Sequence, residues 1–303
     1  LSLPEWQARF ARTRRAPLLQ SYAYARAACR VYRQGARWGL IKISGREAGL
    51  VQILEAGLCR NMIHAVMLDG GPLWFGGFGT PDHNDAFFAA FNEIFPRRPG
   101  RKRRVLPLLE HGDILERHGF RKTNDNTQQT IWLDLSRDED VLLAKMRKNW
   151  RGSLKKAQKT DNLRIEWDDK GGFFPWLLTH YKEDRVQKGY KGPSPRLLHK
   201  LVEAFGEHGC AMTGRVILEK EYLAGILVLG HGSSATYQVG WTSNPGRKLS
   251  VQNLLLWEAM LRLKEKGYKD FDLGGINDKA AGNIKKFKDG LGGETVTTVG
   301  CYA

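Results

Sequence analysis

Residues 234–275 read SATYQVGWTSNPGRKLSVQNLLLWEAMLRLKEKGYKDFDLGG, and this stretch decides the fold. Its first ten residues have the β-branched and aromatic composition that is typical of a strand. The segment LSVQNLLLWEAMLRLKEKG has apolar residues at helical spacing, and YKDFDLGG alternates with a period of two before two glycines. The order strand, loop, helix, strand predicts a mixed α/β protein.

The same pattern extends in both directions from this stretch. CAMTGRVIL and EYLAGILVLGHG predict two strands before it, and ETVTTVGCY predicts a last strand after it. The first half repeats the order, with strands in GLIKIS, GLVQILEAG and AVMLDGGPLWFGG, a helix in DHNDAFFAAFNEIF, a short helix in GDILERHGF and a strand in TQQTIWLDLS. The repeat predicts two copies of one mixed α/β unit, residues 1–135 and 136–303.

The composition points to a soluble protein with polyanionic partners. The net charge of +16 favours nucleic acid, nucleotide diphosphates or anionic lipid. No apolar run is long enough to span a membrane, and the first residues lack the apolar segment of a signal peptide, so we expect a cytoplasmic protein. The four cysteines lack metal-site spacing, and we expect no bound metal.

A basic helix is predicted next to the junction of the two units. The capping box from Ser136 to Glu139 predicts one helix that runs to about residue 159. A stripe without interleaved acids lies along it and includes Lys145, Lys148, Arg151 and Lys155. This stripe is either a solvated face or a surface that binds phosphate. The basic segment PRRPGRKRR (96–104) is likewise a nucleic-acid contact or a mobile surface loop.

Three lysines lie close together in IKKFKDGLGG (284–293), namely Lys285, Lys286 and Lys288. Phe287 can anchor this turn in apolar surroundings while Lys288 points the other way, toward a cleft. The alternative is that Lys288 lies at a helix C-terminus, where the helix dipole favours a positive charge. The sequence contains no serine elbow and no cysteine placed for nucleophilic catalysis.

Five segments together resemble a known family. LLQSYAYAR, MRKNWRGSLKKAQK, ATYQVGWTSNPGRKLSVQNLLLWEAM, FDLGGI and IKKFKDGLGG occur in this order. This ordered set resembles the Fem-type (FemABX) non-ribosomal peptidyltransferases, which consist of two acetyltransferase-like (GNAT) units in tandem. The resemblance implies two GNAT-like (acyl-CoA N-acyltransferase-like) units, with most of the catalytic site in the second. No charged heptad segment interrupts that unit, so the chain resembles the compact members without a helical arm.

The resemblance also implies an activity. Fem-type enzymes transfer an amino acid from aminoacyl-tRNA to an amine of a peptide, usually the stem peptide of a peptidoglycan precursor in cell-wall synthesis. The implied partners are aminoacyl-tRNA as co-substrate, with no further cofactor, and a small or nucleotide-linked peptide as acceptor. We expect the enzyme to act as a monomer. Compact relatives also modify other small peptides, which leaves the acceptor open.

Lys288 and Asp272 are the candidate catalytic residues. An aminoacyl ester is already activated, so its aminolysis needs positioning and a positive group at the developing oxyanion. Lys288 suits that role and matches the lysine of the family's Phe-Lys motif. Asp272 either orients or deprotonates the acceptor amine, or it bonds the backbone of the following glycines. Lys285 and Lys286 would hold phosphate or the tRNA end.

Further substrate contacts are expected from Arg185, Tyr237 and Trp241. Arg185 matches the family's arginine that contacts a diphosphate, and a surface ion pair with Glu183 or Asp184 is the alternative. Tyr237 and Trp241 either stack on a base or sugar or belong to the core.

The loop SNPGRKLS (243–250) helps to distinguish between acetyl-CoA and aminoacyl-tRNA as the acyl donor. An acetyltransferase would hold the coenzyme A pyrophosphate on backbone amides at this position, but the usual Gly-x-Gly pattern is absent. This favours aminoacyl-tRNA over acetyl-CoA. Two alternatives remain, an acyl-CoA-dependent N-acyltransferase on the same fold and a non-catalytic nucleic-acid-binding protein.

Overall fold

The computed structural model describes residues 1–123, 127–190, 192–276 and 282–303. These form two compact units, residues 1–129 with 297–303 and residues 130–296. The sequence predicted a single division after residue 135, so the observed units differ from it at both ends of the second unit. The C-terminal residues return to the first unit because Tyr302 exchanges two backbone hydrogen bonds with Val105, 2.8 and 2.9 Å long.

The first unit consists of four α-helices, one short 3-10 helix (Leu18–Gln20) and five strands within the described residues. The α-helices and strands are α1 (Leu3–Phe10), α2 (Tyr22–Tyr32), β1 (Gly35–Ile43), β2 (Arg46–Leu58), β3 (Ile63–Asp69), β4 (Leu73–Trp74), α3 (Pro81–Ile94), β5 (Arg101–Leu106) and α4 (Asp113–Arg117). The sheet has the order β1-β2-β3-β5, and β4 pairs with β2. Only β3 and β5 are parallel, and α3 connects them. Three phenylalanines of α3 and its C-cap, Phe88, Phe91 and Phe95, pack in the core.

The basic segment 96–104 is not a mobile loop, because its second half forms strand β5. Its arginines bond the fold itself. Arg97 donates to the carbonyl oxygens of Gly119 and Ala303, and the guanidinium of Arg103 lies 4.3 Å from the ring centroid of Phe120. Arg104 pairs with Asp69.

The second unit is built on a seven-stranded sheet. Its elements are β6 (Gln128–Asp134), α5 (Glu139–Lys145), α6 (Lys148–Gln158), β7 (Leu163–Asp168), α7 (Phe174–Lys188), α8 (Pro195–Gly206), β8 (Ala211–Leu218), β9 (Glu221–His231), β10 (Ser234–Thr242), α9 (Asn244–Lys248), α10 (Val251–Glu265), β11 (Asp270–Asp272), α11 (Gly282–Asp289) and β12 (Glu294–Thr298). The strand order is β12-β6-β11-β10-β9-β8-β7, and β10 and β11 pair in parallel. The unit boundary falls within β6 and β12.

The predicted helix over residues 136–159 is wrong, because the chain forms two helices there. Asp138 is the N-cap of α5, whereas Ser136 bonds the side chain of Asp134. Met146 and Arg147 are extended between α5 and α6. The amide of Arg147 donates to the carbonyl oxygen of Gly290 over 2.9 Å, and this contact distant in sequence stabilises the break.

The core of the second unit lies where α6 and α10 pack on the sheet. Trp150 and Leu154 of α6 meet Leu255 and Trp257 of α10 in one buried cluster, together with residues of β8, β9 and β10. None of the helices in the described parts of the chain has both the length and the apolar composition to cross a membrane.

Candidate active site

Strands β10 and β11 pair over only three residues, from Ser234 opposite Asp270 to Thr236 opposite Asp272. Beyond this point β10 is irregular between Tyr237 and Val239 and continues alongside β9 to Thr242. Strand β11 instead ends and enters a glycine turn. The ladder therefore stops after Thr236, which leaves this end of the strand pair for a side chain from another element.

Lys288 of α11 fills that position. Its Nζ donates to the carbonyl oxygen of Gly275 over 3.0 Å and to that of Gly274 over 3.4 Å. It lies 5.7 Å from the ring centroid of Tyr237, and the residue is only 7% exposed. Burial lowers the pKa of Lys288 to about 8, although the charge of Asp272 acts in the opposite direction. An ammonium carries three hydrogens, and these are the two hydrogen bonds that Nζ donates within the described residues.

Lys288 lies in the last turn of α11, as the helix C-terminus alternative expected, and the packing of its neighbours also holds it in place. The ring of Phe287 lies 6.0 Å from that of Trp150 on α6. Gly290 also packs tightly here, because a Cβ at this position would lie 2.5 Å from Trp150 Cδ1. The predicted anchoring of the turn by Phe287 corresponds to this contact, which fixes the direction of the Lys288 side chain.

Asp272 closes the other side of the glycine turn. Its Oδ1 accepts a hydrogen bond from the Gly274 amide over 2.8 Å and another from the hydroxyl of Thr130. Burial raises the pKa of Asp272, and the positive charge of Lys288 partly offsets this. The predicted bond to the glycine backbone is thus present. Gly274 has a φ of +72°, a conformation that favours glycine.

Tyr237 is positioned by a polar chain that the sequence did not reveal. Gln252 Nε2 donates to the Tyr237 hydroxyl over 3.2 Å, and Gln252 Oε1 accepts from Thr242 over 2.8 Å. Burial raises the pKa of Tyr237, so the phenol stays protonated at neutral pH. Thr130 and Gln252 are the functional-site residues that sequence reasoning missed, because neither belongs to a motif and each acts through a contact formed by folding.

Trp241 belongs to an aromatic cluster on α7 and β10. Its ring stacks on His180 with centroids 4.0 Å apart and planes 16° apart, and it meets the ring of Trp176 edge-on at 5.7 Å. The stacked face is thereby occupied by His180. A substrate base could stack only on the remaining surface of Trp241.

Arg185 is half-buried on α7. The expected alternative was an ion pair with Glu183 or Asp184, but Glu183 pairs with His180 at 3.3 Å and Asp184 pairs with Lys188. Among the residues that the structure describes, no carboxylate forms a salt bridge with Arg185.

The predicted phosphate-binding residues differ in their surroundings. Lys145 at the end of α5, Lys148 and Lys155 on α6, and Lys285 and Lys286 on α11 are exposed. Arg151 instead points back to the end of α5. Its guanidinium donates to the carbonyl oxygens of Ala144, over 3.1 Å, and of Met146, so it satisfies the C-terminal acceptors of that helix.

The loop 243–250 is largely closed by its own hydrogen bonds. Ser243 Oγ accepts from the Gly246 amide over 3.1 Å and caps the short helix α9. The amides of Arg247, Leu249 and Ser250 also donate to carbonyl oxygens inside the loop. Gly246 is required for packing, since a Cβ there would lie 2.5 Å from the carbonyl oxygen of Leu223. These amides are not free to hold a pyrophosphate.

The described residues contain no group of three or more His, Cys, Asp or Glu side chains arranged to hold a metal ion. The contacts of the site join Lys288, Tyr237 and Asp272 through the glycine turn. A buried ammonium at the end of a strand ladder is suited to stabilise an oxyanion.

Comparison with known proteins agrees with this architecture. Residues 144–288 match the acetyltransferase (GNAT) domain family. No curated protein is significantly similar in sequence. The crystal structure of FemX is similar with a TM-score of 0.80 and 16% identity, covering 100% of this chain and 95% of FemX.

Two further solved structures share the fold. A tandem GNAT protein from the clavulanic acid biosynthesis pathway has a TM-score of 0.54 and 13% identity, over 99% of this chain and 93% of its own. The C-terminal domain of a putative lysylphosphatidylglycerol synthetase from Agrobacterium fabrum has a TM-score of 0.54 and 14% identity, over 99% and 92%. The predicted mixed α/β fold of two tandem GNAT-like units is confirmed, and so is the resemblance to the Fem-type architecture.

Proposed function

We propose that the protein is an aminoacyltransferase that moves an amino acid from aminoacyl-tRNA to the amine of a small peptide or of a peptidoglycan-precursor stem peptide. The coarser assignment, an acyltransferase, is supported by the GNAT-domain match and by the fold shared with FemX. The observation that carries the finer proposal is the buried ammonium of Lys288 at the end of the β10–β11 ladder.

The reaction needs one bond to form and one to break. The acceptor amine attacks the ester carbonyl carbon, and a C–N bond forms while the carbonyl oxygen becomes an oxyanion. The third N–H of Lys288 would donate to that oxygen, where a preorganised donor is worth roughly 3 kcal/mol. When the intermediate collapses, the C–O bond to the tRNA ribose breaks, and the proton lost by the amine is delivered to the ribose oxygen.

Asp272 would assist the amine. Its raised pKa brings the carboxylate closer to the basicity that proton transfer near neutral pH requires. Oδ1 already accepts two hydrogen bonds, so Oδ2 is the oxygen that would receive or orient the proton of the amine. Tyr237, positioned by Gln252, would form one wall of the site.

The hydrogen bonding within the loop 243–250 is the basis for the proposed donor, aminoacyl-tRNA. Its amides are used within the loop, and the Gly-x-Gly pattern that would open them to a pyrophosphate is absent. This supports a donor without coenzyme A. The exposed lysines Lys145, Lys148, Lys155, Lys285 and Lys286 would contact the tRNA backbone, whose phosphates dominate such affinities.

The acceptor side is proposed around Arg185. An arginine without a carboxylate partner among the described residues suits the diphosphate of a nucleotide-linked peptide.

We further propose that the enzyme acts as a monomer in the cytoplasm, where aminoacyl-tRNA is supplied. A second candidate, an acyl-CoA-dependent N-acyltransferase, is favoured by the acetyltransferase family match.

One experiment separates the two donors. The enzyme is incubated with an acceptor peptide and either charged total tRNA or labelled acetyl-CoA, side by side. We expect label transfer only from charged tRNA, its loss after ribonuclease treatment, and no dependence on coenzyme A. Transfer from acetyl-CoA alone would refute the proposal, as would tight binding of coenzyme A by calorimetry.

A further inference from the structure

The hairpin between β2 and β3 presents apolar side chains to solvent in the first unit. Leu58 and Ile63 are paired across its end, and residues 59–62 form the turn. The exposed fractions are 67% for Leu58, 71% for Met62 and 60% for Ile63. Cross-strand partners lie on the same face of a sheet, so Leu58 and Ile63 form one apolar surface. We name Leu58, Arg60, Met62 and Ile63 the hairpin tip.

The hairpin tip is held in place by specific contacts. Arg98 donates to the carbonyl oxygens of Asn61 and Met62, the latter over 3.4 Å. Gly100 allows the neighbouring loop to approach, since a Cβ there would lie 2.1 Å from the Met62 carbonyl oxygen. Cys59, Arg60 and Asn61 all have positive φ values, of 49°, 54° and 66°. An ordered tip thus keeps its apolar side chains in water, which is unfavourable unless something covers them.

The surroundings of the tip are basic. Neither residues 57–63 nor residues 95–104 contain an acidic residue, whereas both contain arginine. Arg60 and Lys102 are exposed. Glu55 of β2 is engaged by Arg37 and His64. The nearest exposed acid along the chain is Glu47 for residues 57–63 and Glu93 for residues 95–104. Apolar side chains surrounded by cations match the boundary between anionic headgroups and acyl chains.

We propose that the hairpin tip docks the protein on an anionic lipid bilayer, with Leu58, Met62 and Ile63 in the headgroup region and Arg60 on lipid phosphates. The basic residues favour an anionic surface by charge complementarity. Nucleic acid would need only these cations, whereas the three exposed apolar side chains are expected only if the partner is a bilayer. The proposal does not depend on the transferase reaction, and it makes the protein a peripheral membrane protein.

The test is co-sedimentation with vesicles of phosphatidylcholine, with or without phosphatidylglycerol. We expect binding only to vesicles with phosphatidylglycerol, and release by salt. Arg60→Ser should weaken partitioning about fivefold, the effect of one cation near an anionic surface. The double variant Met62→Ser, Ile63→Ser should weaken it about tenfold or more, because both side chains lose their apolar burial.

Matched controls lie in the second unit. Val141→Ser removes an exposed apolar side chain on α5, and Lys220→Ser removes an exposed cation in the turn between β8 and β9. Both controls should bind vesicles like the unchanged protein, and thermal melting should show that every variant is folded. Equal binding to pure phosphatidylcholine, or equal losses in tip and control variants, would overturn the proposal.

Two other outcomes would also overturn it. If the tip variants lose affinity for tRNA while vesicle binding is unchanged, the surface binds nucleic acid. If light scattering shows a dimer without lipid that the double variant abolishes, the tip contacts a second copy of the chain. Transfer to a water-soluble acceptor should be equal in all variants, so failure of this proposal is distinguishable from failure of the proposed function.

Discussion

Replacement of Lys288 by methionine is expected to reduce activity and to raise stability at neutral pH. The side chain is 7% exposed, and its ammonium is held at the glycine turn by two carbonyl oxygens. Methionine fills a similar space without a charge or a donor. The two effects have separate physical causes, so each can be measured and refuted separately.

The loss of activity follows from the oxyanion. Removal of one preorganised donor costs about 3 to 4 kcal/mol of transition-state stabilisation, so kcat should fall by roughly two to three orders of magnitude. The acceptor KM should change little, because the contact forms chiefly in the transition state. Lys288→Arg should restore part of kcat, since a planar guanidinium cannot occupy the position of a compact ammonium.

The gain in stability follows from the lowered pKa. Folding lowers the pKa of Lys288 from 10.5 to about 8. At about 1.4 kcal/mol per unit, the buried charge destabilises the fold by about 3 kcal/mol below pH 8. The two lost hydrogen bonds offset about 1 kcal/mol each, so Lys288→Met should gain about 1 kcal/mol net.

The sign of the pH dependence provides a control. Between pH 8 and 10.5 the unfolded chain retains the Lys288 proton while the folded chain loses it, so the stability contribution of this residue rises with pH in that window. The methionine variant should lack this rise. Urea denaturation at several pH values measures it.

The pH dependence of kcat is measured across the same pH range, from below 8 to 10.5. If the ammonium is the electrophile, kcat should fall as pH rises through about 8, and Lys288→Arg should remove this alkaline limb. A kcat that instead rises through pH 8 and depends on Lys288 would make the neutral amine a base, and our reasoning would be refuted. A fall in kcat of less than tenfold in Lys288→Met would equally refute it.

Three further predictions follow from the site. Asp272→Asn should move the alkaline limb of kcat to lower pH, because the carboxylate charge raises the pKa of Lys288, and an unmoved limb would contradict this coupling. Arg185→Glu should raise the KM of a nucleotide-linked acceptor far more than it lowers the melting temperature, whereas unchanged kinetics would make Arg185 a surface charge. Gly246→Ala should destabilise the protein by about 1 to 3 kcal/mol in denaturant titrations, since its Cβ would collide with the Leu223 carbonyl, and an unaffected midpoint would show that the loop can relax.

The periodicity of the sequence was sufficient for the fold class. β9 is buried along almost its whole length, so its continuous apolar run rather than an alternation marks it as a strand, whereas α10 has apolar residues at helical spacing. Both patterns are local. The basic stripe on 136–159 also followed from spacing, but the single helix did not form. Helix propensity along the chain cannot include the carbonyl of Gly290, which accepts the Arg147 amide from far along the sequence.

The candidate site divides in the same way. The sequence singled out Lys288, Asp272 and Tyr237 through a glycine-ended strand, a Phe-Lys turn and a family resemblance. Folding decided that the Lys288 ammonium is buried, and this loss of hydration is the physical cause of its lowered pKa. Folding likewise brought Thr130 to Asp272, and it turned Arg151 onto the end of α5. Residue types and spacing limit what each side chain can do, but burial and hydrogen-bond partners come from segments that are distant in sequence.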